Sequence, residues 1–187
     1  MENCRVTLAA LPSVLADKAE NLAMVQSAVE QAAREEARLI LLPELMLTGH
    51  GAHPLMVENA EAVPDGPLCK EIVELSRRHQ LCICVGMAEL SHGVAYNSQI
   101  VSDRGVFLGL QRKIHLSGDE YCYFGAGTDV PVFDIGELRF GINVCYDSRF
   151  PELSLLHNLL HVDVVLSAHA GRTGVWPENL NADFARE

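Results

Sequence analysis

The 187-residue sequence predicts an α/β domain built in layers, with more than one sheet. Three observations carry this. Two segments with helical periodicity alternate with short apolar runs in the first half of the chain, the pattern of strands buried between helices. A central stretch then strings strand-like segments together with tight turns and no helix between them, as in a meander. Past Val144 the alternation of helix and strand signals resumes.

Arg5 to Leu11 alternates apolar and polar residues before turning apolar, and reads as a strand. Asp17 to Glu36 reads as an amphipathic helix: Leu22, Val25, Val29 and Ala32/Ala33 share a face, and Asp17 with Glu20 has the spacing of a capping box. Leu39 to Leu42 is short and wholly apolar, as expected of a strand covered on both faces. Pro43 ends it and Glu44 follows at once. Thr48 to Asn59 reads as a loop, and Val63-Pro64-Asp65-Gly66-Pro67 as a turn.

Leu68 to Gln80 is a second helix. Strands are expected at Leu81–Glu89, Tyr96–Ser102, Val106–Lys113 and Val130–Ile135, with hairpin turns at Ser91-His92-Gly93 and Asp103-Arg104-Gly105. Leu138 to Val144 is a further strand that runs into Cys145. Leu153–Leu160 reads as a helix, Val162–Ala168 as a strand, and Pro177–Glu187 as the start of another helix. The order is β-α-β-α-β-β-β-β-β-α-β-α, without internal repeat or linker, so residues 1–187 are expected to form a single domain.

Composition excludes several classes of function. The chain carries 25 Asp and Glu against 14 Lys and Arg, a formal net charge of −11, which opposes binding to phosphate backbones or to an anionic membrane surface. No apolar run reaches the roughly 18 residues of a membrane span, and Met1 to Leu11 lacks the pattern of a secretory signal. A cytoplasmic location is therefore expected, with its six cysteines reduced.

Three reactive residues fall where strands end: Glu44, Lys113 and Cys145. Ligands of α/β sheets bind beyond the carboxyl ends of strands. The three groups are chemically complementary. A thiol must lose its proton to attack a carbonyl carbon, a carboxylate can take that proton and return it to a departing amine, and an ammonium can stabilise the oxyanion between.

Leu41-Leu42-Pro43-Glu44, Arg112-Lys113-Ile114-His115-Leu116 and Cys145-Tyr146-Asp147-Ser148-Arg149-Phe150-Pro151-Glu152 resemble, in order, the three signature blocks of the nitrilase superfamily, or carbon–nitrogen hydrolases. The resemblance implies an α-β-β-α sandwich. It implies Glu44 as general base, Lys113 as oxyanion stabiliser and proton donor, and Cys145 as nucleophile of a thioester pathway. Glu120, in Gly118-Asp119-Glu120, matches a further family glutamate that orients the lysine and the substrate. The Tyr146 backbone N–H would complete the oxyanion hole, and His169, in Ser167-Ala168-His169-Ala170, would line the substrate pocket. The chemistry implied uses no metal or organic cofactor, the partner is a small-molecule amide, and the helix near Pro151 resembles one used in homodimer packing. Cys145-Tyr146-Asp147 is most similar to the omega-amidase and deaminated-glutathione-amidase branch, whereas true nitrilases usually carry Trp and Glu after the cysteine. Family members continue beyond this length, so the fold is expected to lack C-terminal strands. A catalytically incomplete or scaffold role is the competing reading.

Other residues admit plainer readings. His115 could serve Cys145 as a base in place of Glu44, or be structural. His50 and His53 lack a recognisable metal spacing. Cys82-x-Cys84 puts both thiols on one strand face and reads as core. Gly125-x-Gly127 is too short for a phosphate loop. Arg149 is expected to pair with a carboxylate.

Overall fold

The computed structural model describes residues 4–51 and 53–170; the helix expected at Pro177–Glu187 lies outside them. Among the described residues, β1 (Val6–Leu8), β2 (Leu39–Leu41), β3 (Cys82–Ser91), β4 (Val94–Asp103) and β5 (Val106–Arg112) form one sheet in that order. β1, β2 and β3 are parallel, and β3, β4 and β5 are the expected antiparallel meander. A second sheet has the order β6 (Phe133–Asp134), β7 (Arg139–Val144), β8 (Val164–Ala168). The helices are α1 (Lys18–Arg34), α2 (Leu55–Glu58), α3 (Pro67–His79) and α4 (Pro151–Leu159).

The period of two along the strands sorts the core into two layers. Ile40, Leu42, Ile83, Val85, Met87 and Ile100 face α1 and α3, meeting Val25, Val29, Leu68, Ile72 and Leu75. Leu39, Leu41, Cys82, Cys84 and Val101 point the other way and meet Phe133, Phe140, Ile142, Val144 and Leu166 of the second sheet. Both faces of β2 are thus buried, which explains its unbroken apolar run. α4 covers the outer face of the second sheet: buried His157 contacts Asn143 of β7 at 3.1 Å. A Cβ on Gly141 would lie 2.2 Å from the His157 ring, so glycine lets helix and strand approach. The layers run α-β-β-α, as the family resemblance implies.

Local chemistry sets most boundaries. Asp17 caps α1 by accepting from the Glu20 N–H at 3.0 Å, an interaction of about 1 kcal/mol. α3 and α4 each begin one or two residues ahead of the sequence expectation, on Pro67 and Pro151, because proline suits the first helical turn. β6 is shorter than the Val130–Ile135 expected: Pro131 has no N–H to give a ladder, and only Phe133 and Asp134 pair. Thr48–Asn59 contains the short α2 as well as loop. Arg38 clasps the two sheets at one end, donating to Asp103 at 2.6 and 2.9 Å, to Glu137 at 3.0 Å and to the Ile135 carbonyl at 2.9 Å. Cys82 and Cys84 are buried between the sheets as packing residues, and all six cysteines are free thiols. No helix among the described residues is long and apolar enough to cross a membrane.

Candidate active site

Glu44 sits in the turn that follows β2. That turn docks on β3: the Gly86 N–H donates to the Pro43 carbonyl at 3.1 Å, and the Leu47 N–H to the Gly86 carbonyl at 3.0 Å. Gly86 has to be glycine, since a Cβ there would stand 2.3 Å from the Leu45 nitrogen and 2.7 Å from the Glu44 backbone. Thr48 and Gln99 complete the fixing, with Thr48 Oγ1 accepting from the Ala88 N–H at 3.0 Å and Gln99 Nε2 donating to the Leu42 carbonyl at 2.9 Å.

Lys113 follows β5 directly and is held by its backbone, with its N–H donating to the Asn97 carbonyl at 2.8 Å. Its side chain is 1% exposed, an expensive place for an ammonium without partners. Two carboxylates supply them. Nζ donates to Glu44 Oε1 at 2.7 Å and lies 2.9 and 2.8 Å from the two oxygens of Glu120. Desolvation works to lower the Lys113 pKa, but the Glu44 charge, the Cys145 sulfur and the bonds to Glu120 and Glu44 outweigh it and raise it well above the ordinary lysine value. The lysine is therefore an ammonium at neutral pH.

Glu120 lies in a single 3-10 turn, Gly118–Cys122. Its Oε2 accepts from the Ser117 N–H at 2.7 Å and the Ser117 hydroxyl at 2.8 Å. Burial pushes its carboxyl up, yet Lys113 and Ser117 together hold it below the usual glutamate value, so it is ionised.

Cys145 ends β7 at an elbow. Its φ is +49°, a conformation that costs a non-glycine residue about 1–3 kcal/mol and has to be held by its surroundings. The holding group is buried Asp147, whose Oδ2 accepts from the Val144 N–H at 3.1 Å within the 3-10 turn Cys145–Arg149. The thiol is pushed up to about 12, first by burial and next by the Glu44 charge and hydrogen bond, against opposing effects of Lys113 and the Ala170 N–H. At neutral pH it is the protonated thiol, with the Glu44 carboxylate beside it.

Glu44, Lys113, Glu120 and Cys145 thus converge. His169 follows β8 with an exposed ring. Desolvation lowers its pKa, Glu44 raises it and Lys113 lowers it, which puts the ring within electrostatic reach of both. Tyr146 is the residue after the elbow; its side chain is 38% exposed and packs edge-on against Phe150. His115 is directed elsewhere, onto Asp147 at 3.0 Å and flat against Phe150 at 3.6 Å between centroids. Arg149 lies at the end of the turn and is exposed. His53 accepts from the Leu55 N–H at 3.2 Å in its loop. Among the described residues no group of three or more His, Cys, Asp or Glu is placed to hold a metal ion.

Two contributors escape sequence reading. Buried Asn97 on β4 donates to Glu44 at 2.8 Å and to Glu120 at 3.0 Å, and the Ala170 N–H donates to Glu44 Oε2 at 3.1 Å. The available signal for Asn97 was the polar run Asn97-Ser98-Gln99 inside a strand with apolar neighbours.

The carbon–nitrogen hydrolase family model matches residues 5–181. A nitrilase of Pyrococcus abyssi is 32% identical over 149 residues, 78% of this chain and 57% of that protein. The chloroplastic omega-amidase of Arabidopsis thaliana is 31% identical over 159 residues, 78% of this chain and 43% of that protein. The amidase of Nesterenkonia sp. AN1 superposes with a TM-score of 0.82 at 22% identity, covering 98% of this chain and 74% of that one. The chain spans about half the length of the curated relatives it matches. The family model matches nearly the whole chain, and the chain belongs to the carbon–nitrogen hydrolase family.

Proposed function

We propose that the protein hydrolyses the C–N bond of a small linear amide through a cysteine thioester. The observation that carries this reading is the contact of Glu44 with both Lys113 and Cys145 at three strand ends. The thiol is neutral at rest, so proton removal accompanies attack. Glu44 takes the thiol proton as sulfur bonds to the carbonyl carbon, and the C=O electron pair moves onto oxygen. Lys113 and the Tyr146 N–H stabilise that oxyanion. As the intermediate collapses, the C–N bond breaks and the proton held by Glu44 passes to the leaving nitrogen, releasing ammonia or an amine. Water then attacks the thioester, giving its proton to Glu44; sulfur leaves as the acid forms and regains its proton. Glu120 keeps Lys113 in place, and His169 contacts the substrate.

An amide suits the site better than a nitrile because Tyr146 and Asp147 follow the cysteine, as in the amidase-like branch. The Arabidopsis relative, an omega-amidase, supports the same substrate class. The reaction uses no cofactor, and we place the protein in the cytoplasm. The exposed Leu155, Leu156 and Leu159 of α4 support a homodimer contact on that helix.

Incubation with a panel of omega-amides tests the reading. Ammonia is released by the parent and not by Cys145→Ala; equal release by both would refute a cysteine mechanism.

A further inference from the structure

Asn97 has a bonding pattern that a strand residue does not need for folding. It is 1% exposed, and its backbone already serves the meander by pairing with Ala88 and accepting from the Lys113 N–H at 2.8 Å. Its side-chain nitrogen faces two carboxylates, Glu44 Oε1 at 2.8 Å and Glu120 Oε1 at 3.0 Å. Those are oxygens that Lys113 Nζ also meets, at 2.7 and 2.9 Å. The side-chain oxygen of Asn97, Oδ1, is buried without a hydrogen-bond partner among the described residues. An orphaned buried acceptor costs about 1–3 kcal/mol, a cost the two charge-assisted bonds to the carboxylates offset. What the amide supplies is two donors aimed at two carboxylates.

The consequence lies in the two oxygens of Glu44. Oε1 receives two donors, the ammonium of Lys113 and the amide of Asn97. Oε2 receives the Ala170 N–H at 3.1 Å, and the same N–H acts on the Cys145 thiol, favouring its ionised form. Oε2 therefore lies on the thiol side of the carboxylate, and Oε1 on the lysine side.

Building on the amidase reading, we propose that Asn97 is a positioning residue that assigns the proton-accepting oxygen of Glu44. By holding Oε1 together with Lys113, it leaves Oε2 to take the Cys145 proton. Without Asn97, Lys113 alone holds the carboxylate at one point, and the group can pivot about that contact. Reaction geometry suffers while the substrate pocket does not, so the loss falls on kcat and not on KM.

Asn97→Leu keeps the volume and removes both donors; Asn97→Ser retains one hydroxyl donor. Two measurements are made on the parent, both variants and Glu44→Gln. One is steady-state ammonia release. The other is the rate at which 2-chloroacetamide alkylates Cys145, read by peptide mass spectrometry, which needs the same proton removal but no amide turnover. For Asn97→Leu the expected result is a fall in kcat of about 50-fold with KM within about threefold, and a fall of at least about tenfold in alkylation, approaching Glu44→Gln. Asn97→Ser recovers part of both, and carries the test alone if the leucine variant does not fold. Alkylation by the variants within about twofold of the parent, or a turnover loss confined to KM, overturns the proposal. A parent that hydrolyses none of the amides refutes the amidase reading, while the alkylation rates still decide the role of Asn97.

Discussion

Asp147 ties the lysine end of the site to the cysteine end through His115. Its Oδ1 accepts from the His115 backbone N–H at 2.8 Å and from the His115 ring Nδ1–H at 3.0 Å. Its Oδ2 accepts from the Val144 N–H at 3.1 Å, one residue before Cys145. A single buried carboxylate thus joins the segment after β5 to the elbow after β7 and fixes the separation of Lys113 from Cys145.

Asp147→Asn tests that tie. The amide keeps the shape but loses the charge and one acceptor oxygen, leaving some of these N–H groups unserved. Hydrogen bonds to charged groups contribute about 1.5–3 kcal/mol each, so urea unfolding should show a loss of about 2–3 kcal/mol and ammonia release a fall of at least about tenfold. His115→Ala should retain activity within about fivefold, because the backbone N–H bonds to Asp147 persist. A His115→Ala protein as inactive as Cys145→Ala would instead make the imidazole the base.

Lys113→Met leaves Glu44 and Glu120 buried without their cation. Breaking a buried pair in this way costs about 3–5 kcal/mol, which a denaturant titration resolves. Adding Glu120→Gln should return part of that stability but no activity, because the oxyanion partner is still absent.

Gly86→Ala should damage the site from the far side of β3. The new Cβ would meet the backbone of Glu44 and Leu45, neither of which is a flexible side-chain end. Overpacking of this kind costs about 1–3 kcal/mol and displaces Glu44, so kcat should fall more than the thermal midpoint alone explains. Gly93→Ala, at a turn where an added Cβ meets nothing, should leave kcat unchanged.

The raised thiol pKa of Cys145 sets a pH dependence. The ordinary value is 9.0 and the folded value about 12, so across this window the unfolded chain gives up the proton while the folded chain keeps it. The folded state then binds more protons, and stability falls as pH rises; below the window the contribution is fully present. From about pH 8 to about pH 10 the unfolding free energy of the parent, read by urea titration, should decline more steeply than that of Cys145→Ala, by about 1 kcal/mol at the upper end. In the same range the thiolate absorbance near 240 nm should be indistinguishable between the two at that position. An excess in the parent at neutral pH would mean a thiolate formed before substrate arrives.

The layers and the reactive strand ends were legible in the sequence because their signals are local. A wholly apolar run states that β2 is covered on both sides, and a proline followed by Glu44 states where it ends. Asn97 and Asp147 were not legible as site residues. Alternation along β4 suggests that polar residues face solvent, whereas Asn97, Ser98 and Gln99 are all buried. Asp147 was visible as part of a motif, but its partners Ile114 and His115 are 33 and 32 residues away, a separation that no local pattern encodes. The same holds for Ala170, which reaches Glu44 across 126 residues.

A sulfur kept protonated between encounters with substrate is also protected from oxidation. Peroxides and disulfides consume the thiolate, and the first step toward sulfenic acid is slow for a thiol whose proton is held this firmly. Cys145 is half-buried, and on the proposed mechanism it becomes a strong nucleophile only while Glu44 draws its proton away. The chain can therefore keep a reactive cysteine near solvent without a resolving partner or reductant to restore it after each exposure to oxidant.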